Sequence, residues 1–329
     1  MRRTIASDAR SAGAAPTRAR AAVTAALLVA GAIAAASPSG AQSPTQSPGR
    51  ATGRASARPS TAPTGQRVDV NGMRLYYEVS GAGEPLIVLH GAYMSIPSMG
   101  QIVPLLAKTH RVYALELQGH GRTADIDRPI TYQNLADDVA AFMNAVGLRR
   151  ADVFGYSMGA AAGLQLAIRH PEKVRKLVAA SVAYDAAGLQ PAMRAMIPQM
   201  TVDMFAGTAL ERAWRKLAPN PDGFRGVVRK LIALEHEPMA WEADVRALRS
   251  PVLIVAGDAD VTTLEHTVAM FRLVGGGVMG DMGQPLPASR LAILPATSHT
   301  ALIAQADLLH PIVERFLRGE TPKGMFGGP

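Results

Sequence analysis

A serine between two glycines is the residue of this 329-residue chain best suited to chemistry. Ser157 lies in Gly-Tyr-Ser-Met-Gly at residues 155–159, after the apolar run 152–154 and before a helical pattern at residues 160–169. A serine at a sharp turn from strand to helix has an exposed hydroxyl and a strained backbone, and glycines two positions away allow the strand and the helix to approach. The pattern predicts a nucleophilic serine, with the Met158 amide directed at a developing oxyanion.

A serine hydroxyl needs a base, and His299 is the preferred one. It follows the last apolar run, residues 291–294, which would place it at the same sheet edge as Ser157. Of the other histidines, His90 and His120 lie in glycine turns, where we interpret them as turn-shaping or pocket-lining residues. No histidine pair has the spacing of a metal motif and the chain has no cysteine, so we expect neither a metal nor a cofactor.

An orienting acid is expected after the apolar run at residues 252–256. Two carboxylates are available there, Asp258 and Asp260. Asp260 is preferred because it lies further into the loop and can reach His299, whereas Asp258 would more naturally bind local turn amides. Asp185, at the end of the preceding strand pattern, is an outside candidate. The preferred residues follow the chain order serine, aspartate, histidine, which is one of the orders known for such catalytic groups.

The second oxyanion donor is predicted in the His-Gly-Ala turn at residues 90–92, which follows a buried-strand pattern at residues 86–89. The amide of Ala92 would point at the same oxygen as that of Met158. Its neighbour Tyr93 is predicted to line the substrate pocket.

The elements that position these residues follow from hydrophobic periodicity. Short apolar runs alternate with helical patterns, which indicates a doubly wound, mostly parallel sheet with its site at the carboxyl ends of the strands. Asn71-Gly72 predicts a hairpin before the first buried strand. The predicted organisation is a leader at 1–41, a linker at 42–66, a core in two parts at 67–184 and 250–318, a helical lid at 185–249 and a tail at 319–329.

The lid is predicted because residues 185–249 lack a strand pattern. Met193, Met196, Met200 and Met204 have the spacing of one helix face. That face is either ordinary core packing or a soft lining for a bulky apolar substrate. The second interpretation makes Met193, Met196 and Met200 candidate pocket residues.

The excess positive charge of the chain lies entirely near its N-terminus. Nine arginines and one aspartate in residues 1–67 account for the whole net charge of +8, so residues 68–329 are formally neutral and nucleic-acid binding is not expected.

Residues 1–41 combine an arginine-bearing start, an uncharged apolar stretch at 21–36 and the small residues Ser39-Gly40-Ala41. We expect an export signal cleaved after Ala41, a periplasmic or secreted protein and no stable membrane insertion after cleavage. An uncleaved anchor and a wrongly assigned start codon are the alternatives.

Together these motifs resemble the α/β-hydrolase superfamily. The resemblance covers residues 68–317 and rests on five short motifs: HGA at 90–92, GHGRT at 119–123, GYSMGA at 155–160, GDAD at 257–260 and TSH at 297–299. It implies an α/β-hydrolase fold and a serine nucleophile, and it argues against epoxide hydrolases and haloalkane dehalogenases, which carry aspartate at the elbow. The stretch at 116–129 is also similar to bacterial esterases that include macrolide-inactivating ones.

The expected activity is hydrolysis of a small-molecule carboxylic ester or lactone, macrolide-like lactones included, through an acyl-enzyme and without a cofactor. Carbon–carbon bond hydrolysis and perhydrolysis are alternatives, because the same residues can serve them. A binding protein that kept the fold and lost catalysis is a third possibility. The sequence predicts no oligomeric state.

Overall fold

The computed structural model describes residues 64–280 and 286–321. The predicted leader, most of the predicted linker and the end of the predicted tail lie outside these residues. The first strand begins at Thr64, so regular structure starts earlier than residue 67, where we placed the start of the core. None of the helices in the described ranges is long and apolar enough to cross a membrane.

The centre of the fold is an eight-stranded sheet in the order β1-β2-β4-β3-β5-β6-β7-β8. Strand β2 pairs antiparallel with β1 and β4, and all other pairs are parallel. The carboxyl ends of β3 to β8 therefore share one edge. The strands are β1 Thr64–Val70, β2 Met73–Ser80, β3 Glu84–Leu89, β4 His110–Glu116, β5 Ala151–Tyr156, β6 Val174–Ala180, β7 Val252–Ala259 and β8 Arg290–Ser298.

The predicted hairpin joins β1 to β2. Val70 pairs with Met73, and the two residues between them, Asn71 and Gly72, have φ values of 46° and 84°. A two-residue turn with positive φ at both positions matches the twist of the flanking strands. This local signal was therefore sufficient to predict the turn.

Helices cover both faces of the sheet, as strands buried on two sides require. Along β3, Ile87 and Leu89 belong to one apolar cluster and Leu86 and Val88 to the other, in the alternation of a strand. The helices are α1 Ile102–Leu106, α2 Tyr132–Ala145, α3 Met158–Arg169, α4 Pro191–Met196, α5 Ala209–Leu217, α6 Phe224–Glu235, α7 Glu242–Arg246, α8 Leu264–Leu273, α9 Ala301–Ala304 and α10 Ala306–Leu317.

The segment between β6 and β7, called here the insertion, contains α4 to α7 and short 3₁₀ turns. Its first part is attached to the loop after β7. Gln190 N donates to Val261 O at 2.7 Å, and Thr263 N donates to Gly188 O at 2.9 Å. The insertion is thus tied at its start to the chain that follows Asp260.

The prediction of one helix carrying the methionine face was wrong. Helix α4 ends at Met196, and a 3₁₀ turn containing Pro198 follows. Proline lacks the amide that would continue the helix, and its ring clashes with the preceding turn. Met193 and Met196 lie in α4, Met200 follows this 3₁₀ turn, and Met204 lies in a second 3₁₀ turn at Val202–Phe205, so the four methionines do not share one helix face.

A buried carboxylate connects the hairpin, the chain after β4 and helix α2. The Asp138 side chain is fully buried. It accepts hydrogen bonds from Asn71 Nδ2 at 2.8 Å and from Arg128 Nη1 and Nη2 at 3.0 and 2.6 Å. Arg128 Nε also donates to Gln118 Oε1 at 3.0 Å. Removing the carboxylate would leave the half-buried Arg128 without its anionic partner.

We expect Asp138→Ala to lower the free energy of unfolding by about 3 to 5 kcal/mol, because it breaks a buried charge pair by removing one partner. The measurement is urea unfolding followed by circular dichroism. Asp69→Ala is the matched control, since Asp69 and Arg74 lie 3.7 Å apart with side chains 85% and 76% exposed and such pairs contribute little. Equal losses in the two variants would contradict the role given to Asp138.

Candidate active site

Ser157 lies at the turn from β5 into α3 with a backbone that few side chains adopt. Its φ and ψ are 53° and −120°, and its amide donates to Ala180 O on β6 at 2.9 Å. A Cβ on Gly155 would lie 2.4 Å from Gly159 O, and one on Gly159 would lie 2.4 Å from Leu89 O. Only glycine fits at either position, so both flanking glycines are required by the close packing of strand and helix.

Three predicted residues meet in one hydrogen-bonded line. His299 Nε2 lies 3.0 Å from Ser157 Oγ, and His299 Nδ1 lies 2.8 Å from Asp260 Oδ1. The His299 side chain is 17% exposed and that of Asp260 is fully buried. The geometry is that of a nucleophile, a base and an orienting acid.

The carboxylate of Asp260 accepts further hydrogen bonds besides the one with His299. Its Oδ1 also accepts from Val261 N at 2.7 Å, and its Oδ2 accepts from Gly257 N at 3.1 Å and from the hydroxyl of Ser181. Burial acts to raise the pKa of Asp260, but the hydrogen bond and charge of His299, with the bonds from Ser181 and Gly257, bring it below its usual value. Asp260 is therefore a carboxylate at neutral pH.

The two alternative acids serve other contacts. Asp258 accepts from Thr297 N at 2.9 Å and Ala296 N at 2.8 Å, and these bonds lower its pKa. Asp185 accepts from Ala187 N at 2.7 Å and caps a short turn. Asp258 thus fixes the loop that carries His299, without a hydrogen bond to the imidazole.

The two amides predicted for the oxyanion lie in the turn after β5 and in the loop after β3. Met158 is the first residue of α3, where an amide has no acceptor within the helix. Ala92 lies in the loop after β3, and within residues 64–280 and 286–321 its amide has no backbone acceptor. The next amide, that of Tyr93, donates to His120 Nε2 at 3.2 Å. The loop therefore leaves the Ala92 amide available and uses its neighbour as an anchor.

His90 and His120 are both fully buried and shape the loops beside the site. Each accepts a backbone amide at Nε2, from Leu117 at 3.2 Å for His90 and from Tyr93 for His120. Each Nδ1 faces a carbonyl at 2.8 Å, that of Gly91 for His90 and that of Gln118 for His120, which requires the neutral tautomer with its proton on Nδ1. Burial lowers the pKa of His90 to about 3 and that of His120 to about 4.

The predicted pocket residues lie in different surroundings. The ring of Tyr93 stacks on Phe205 of the insertion, with centroids 4.9 Å apart. Met193 and Met200 pack against the small cluster of Ala183, Leu189 and Ile197, and Met196 is half-buried at the end of α4. Tyr93 thus joins the loop after β3 to the insertion, whereas contact of the methionines with substrate stays a prediction.

Backbone strain is concentrated at this edge of the sheet. Tyr93, Ser157, Ser181 and Ala296 all have φ between 52° and 62°, in the left-handed region that non-glycine residues rarely adopt. Ser157 and Ser181 directly follow β5 and β6, Tyr93 lies in the loop after β3, and Ala296 lies near the end of β8, before His299. Strain of this kind persists where surrounding structure fixes a functional geometry.

Comparison with known proteins agrees with the architecture. The family described as alpha/beta hydrolase fold matches residues 84–211. A pimeloyl-[acyl-carrier protein] methyl ester esterase of Vibrio atlanticus is 28% identical over 71% of this chain and 94% of its own. A 2-hydroxymuconate semialdehyde hydrolase of Pseudomonas is 35% identical, over 35% of this chain and 42% of its own. The solved enol-lactonase of Burkholderia xenovorans has a TM-score of 0.59 at 21% identity, over 77% of this chain and all of its own.

The chain has the alpha/beta hydrolase fold. The relatives are named for different reactions, so the fold and the sequence similarity support a hydrolase without choosing the bond that it cleaves. Within the described residues, no group of His, Asp and Glu side chains could hold a metal ion.

Sequence reasoning missed two residues that hold the α/β-hydrolase site together. The hydroxyl of Tyr156 donates to His299 O at 2.7 Å, and Ser181 donates to Asp260. Tyr156 occupies the variable position before the serine, and Ser181 follows β6 without a motif. Neither had a local signal, because their partners are distant along the chain.

We expect the free energy of unfolding to fall as the pH is lowered from about 7 to 5. The unfolded chain protonates His90 and His120 near pH 6.5, whereas the folded pKa values are about 3 and about 4. The unfolded state therefore binds more protons below pH 6.5, at a cost of up to about 1.4 kcal/mol per pH unit for each histidine. Stability from this source is complete above pH 6.5 and declines toward acid.

Urea unfolding at several pH values measures this slope. His120→Gln should reduce the slope of the unfolding free energy against pH by the equivalent of about one bound proton, even if the variant is less stable at pH 7. The exposed His236 provides the control, as His236→Gln. An unchanged slope in His120→Gln would show that His120 is not held neutral by the fold.

Proposed function

We propose that this α/β-hydrolase is a serine hydrolase of carboxylic esters or lactones that works through an acyl-enzyme. The observation that carries the proposal is the line of hydrogen bonds from Ser157 through His299 to Asp260. The esterase and lactonase relatives support a small-molecule ester as substrate.

The proposed reaction begins with Ser157. His299 Nε2 takes the proton of Ser157 Oγ as the oxygen attacks the carbonyl carbon. The amides of Met158 and Ala92 stabilise the negative oxygen of the tetrahedral intermediate. The intermediate collapses with transfer of the His299 proton to the leaving alkoxide, which departs as an alcohol or, in a lactone, stays attached to the acyl group. Water then repeats the sequence and releases the acid.

Asp260 acts on this reaction through the histidine. Its hydrogen bond at Nδ1 fixes the imidazole with Nε2 facing the serine, and its charge stabilises the imidazolium formed during attack. The contacts with Ser181, Gly257 and Val261 hold the carboxylate in that position.

Carbon–carbon bond hydrolysis is the second candidate, because one of the relatives is a semialdehyde hydrolase. A substrate panel separates the two: nitrophenyl esters of increasing acyl length, simple lactones and macrolides on one side, and vinylogous 1,5-diketones on the other. Mass spectrometry of the products shows which bond is cleaved.

We further propose that the protein is exported, from the composition of residues 1–41. N-terminal sequencing of the protein recovered from periplasm and culture medium tests this, with a mature start at Gln42 as the expected result.

We expect Ser157→Ala to abolish hydrolysis of activated esters, because no other group in the line can form the acyl-enzyme. The measurement combines nitrophenyl ester turnover with labelling by a fluorophosphonate probe, which the variant should also lose. Thermal unfolding verifies that the variant remains folded. Wild-type turnover or labelling in Ser157→Ala would refute the assignment of the nucleophile.

Two aspartate substitutions distinguish orientation of the base from support of its loop. We expect Asp260→Asn to lower kcat by about 10⁴-fold, the scale seen when an orienting carboxylate is replaced in serine proteases. Asp258→Asn is the matched control in the same loop and should reduce kcat far less, since one amide oxygen still accepts from the backbone. A larger loss in Asp258→Asn would reverse the assignment.

A further inference from the structure

The edge of the sheet at which the parallel strands begin forms one continuous surface with the end of α10. This surface, called here the amino edge, consists of the residues within three positions of the first residue of β3 to β8, together with residues 314–320. Lys176 Nζ, near the start of β6, donates to Leu317 O at 2.7 Å. Arg290 Nη1, at the start of β8, donates to Arg315 O at 3.4 Å. These bonds place the end of α10 beside the strand starts.

The amino edge is strongly positive. It contains eleven lysines and arginines against five acids, a net charge of +6. Two of these cations lie at β4, two at β5, three at β6, one each at β7 and β8, and two at the end of α10. The remaining residues of 64–280 and 286–321 contain fourteen cations and nineteen acids, a net charge of −5. The near-neutral total charge of the fold thus conceals a separation of charge between its two ends.

Most cations of the amino edge have no acidic partner. Among residues 64–280 and 286–321, eight of the eleven form no ion pair, and Arg175, Arg315 and Arg318 are the exceptions. Uncompensated charges of one sign on one face attract a partner of the opposite sign. Five of the eight unpaired cations are exposed to solvent: Lys108, Arg111, Arg149, Arg150 and Arg249.

The chain enters the fold at the same edge, from a basic segment. Strand β2 is antiparallel to both β1 and β4, so β1 and β4 begin at the same edge of the sheet. The residues before Thr64 therefore join the fold at the amino edge. Among them, residues 42–63 contain Arg50, Arg54 and Arg58 and no acid. The sequence thus adds positive charge where the fold is already positive.

The width of the amino edge favours an extended anionic surface over a small anion. Neighbouring strands lie about 4.8 Å apart, so the starts of β3 to β8 extend over about 24 Å. Cations lie at five of these six strand starts, and β3 begins with Glu84, which pairs with Arg175. A partner that contacts the whole edge must carry many negative groups at once.

The aromatic side chains of the amino edge do not favour nucleic acid as that partner. Tyr113, Phe154 and Phe316 are 6%, 0% and 2% exposed. Proteins that bind single-stranded nucleic acid combine a basic groove with aromatic rings on which the bases stack. Rings this deeply buried leave only the charges for an external partner, which is the chemistry that phospholipid headgroups require.

We propose that the amino edge, together with the basic segment before Thr64, is a docking surface for a bilayer of anionic phospholipid. Its lysine and arginine side chains bind the phosphates of the lipid headgroups, and the interaction is electrostatic. The docking surface lies apart from the candidate active site and does not depend on the proposed hydrolase function.

Docking by the amino edge fixes the orientation of the active site. Strand β5 has six residues and leads directly to Ser157, and a strand rises about 3.3 Å per residue, so Ser157 lies about 20 Å from the amino edge. The serine then faces away from the bilayer. The enzyme on the membrane takes its substrate from the aqueous phase.

The first experiment measures binding to vesicles by sedimentation. It uses the chain from Gln42 onward, which contains every described residue. We expect binding to vesicles of equal parts phosphatidylcholine and phosphatidylglycerol, and none to vesicles of phosphatidylcholine alone. Binding should be lost in about 1 M sodium chloride, where charges are screened beyond about 3 Å.

Two fourfold variants locate the surface that binds. One cation near an anionic membrane contributes about fivefold to affinity, so the loss of four exposed edge cations should weaken binding by about a hundredfold or more. The matched control removes four exposed cations of the insertion and should lose less than about fivefold. Thermal unfolding verifies that both variants are folded. The edge variant combines Lys108→Gln, Arg111→Gln, Arg149→Gln and Arg249→Gln, and the control combines Arg194→Gln, Arg212→Gln, Lys216→Gln and Arg229→Gln.

A second experiment measures orientation. The chain has no cysteine, so Arg149→Cys at the amino edge and Lys216→Cys on the insertion each provide a single position for a fluorescent dye. Each substitution removes one positive charge. On anionic vesicles that contain a headgroup-labelled acceptor lipid, energy transfer should be stronger from residue 149 than from residue 216.

Four results would overturn the docking surface: absence of binding to anionic vesicles, equal binding to neutral ones, equal losses in the two fourfold variants, or energy transfer that is not stronger from residue 149. Tighter binding to duplex DNA than to vesicles at the same phosphate concentration would also overturn it, in favour of nucleic acid. None of these results affects the assignment of Ser157, which fluorophosphonate labelling tests separately.

Discussion

The close approach of β5, α3 and β3 at Ser157 is the constraint on which the rest of the site depends. The carbonyl oxygens of Gly159 and Leu89 lie where side chains at Gly155 and Gly159 would be. The turn between them fits only with Ser157 in a left-handed conformation. That conformation directs the hydroxyl toward the loops after β7 and β8, so the positions of the base and the acid follow from the geometry of this one turn.

The loops around the turn are fixed mainly by backbone hydrogen bonds to side chains. His120 anchors the amide of Tyr93, Asp258 anchors two amides before His299, and Tyr156 anchors the His299 carbonyl. None of these contacts takes part directly in the proposed bond cleavage. They limit the freedom of the reacting groups, and such preorganisation accounts for much of the rate of an enzyme.

The sequence was informative where function or fold produces a local pattern. Asn71-Gly72 predicted the hairpin, the apolar runs predicted the strands, and glycines around Ser157 predicted the turn, because each depends on residues close together in the chain. Ser181 and Tyr156 contact partners far away in sequence, so periodicity could not reveal them. The methionine spacing misled because Pro198 ends the helix, and a proline two residues beyond Met196 was a signal available in the sequence.

The attachment of the insertion to the loop after β7 has a consequence for how such enzymes can change substrates. Residues 188–190 and 261–263 share backbone hydrogen bonds, next to the aspartate that orients the base. Replacing the whole insertion by a foreign one would therefore disturb the acid as well as the pocket. Exchanges that begin after Gln190 would keep this junction, so the distal helices are the part of the insertion that can diversify without loss of the catalytic line.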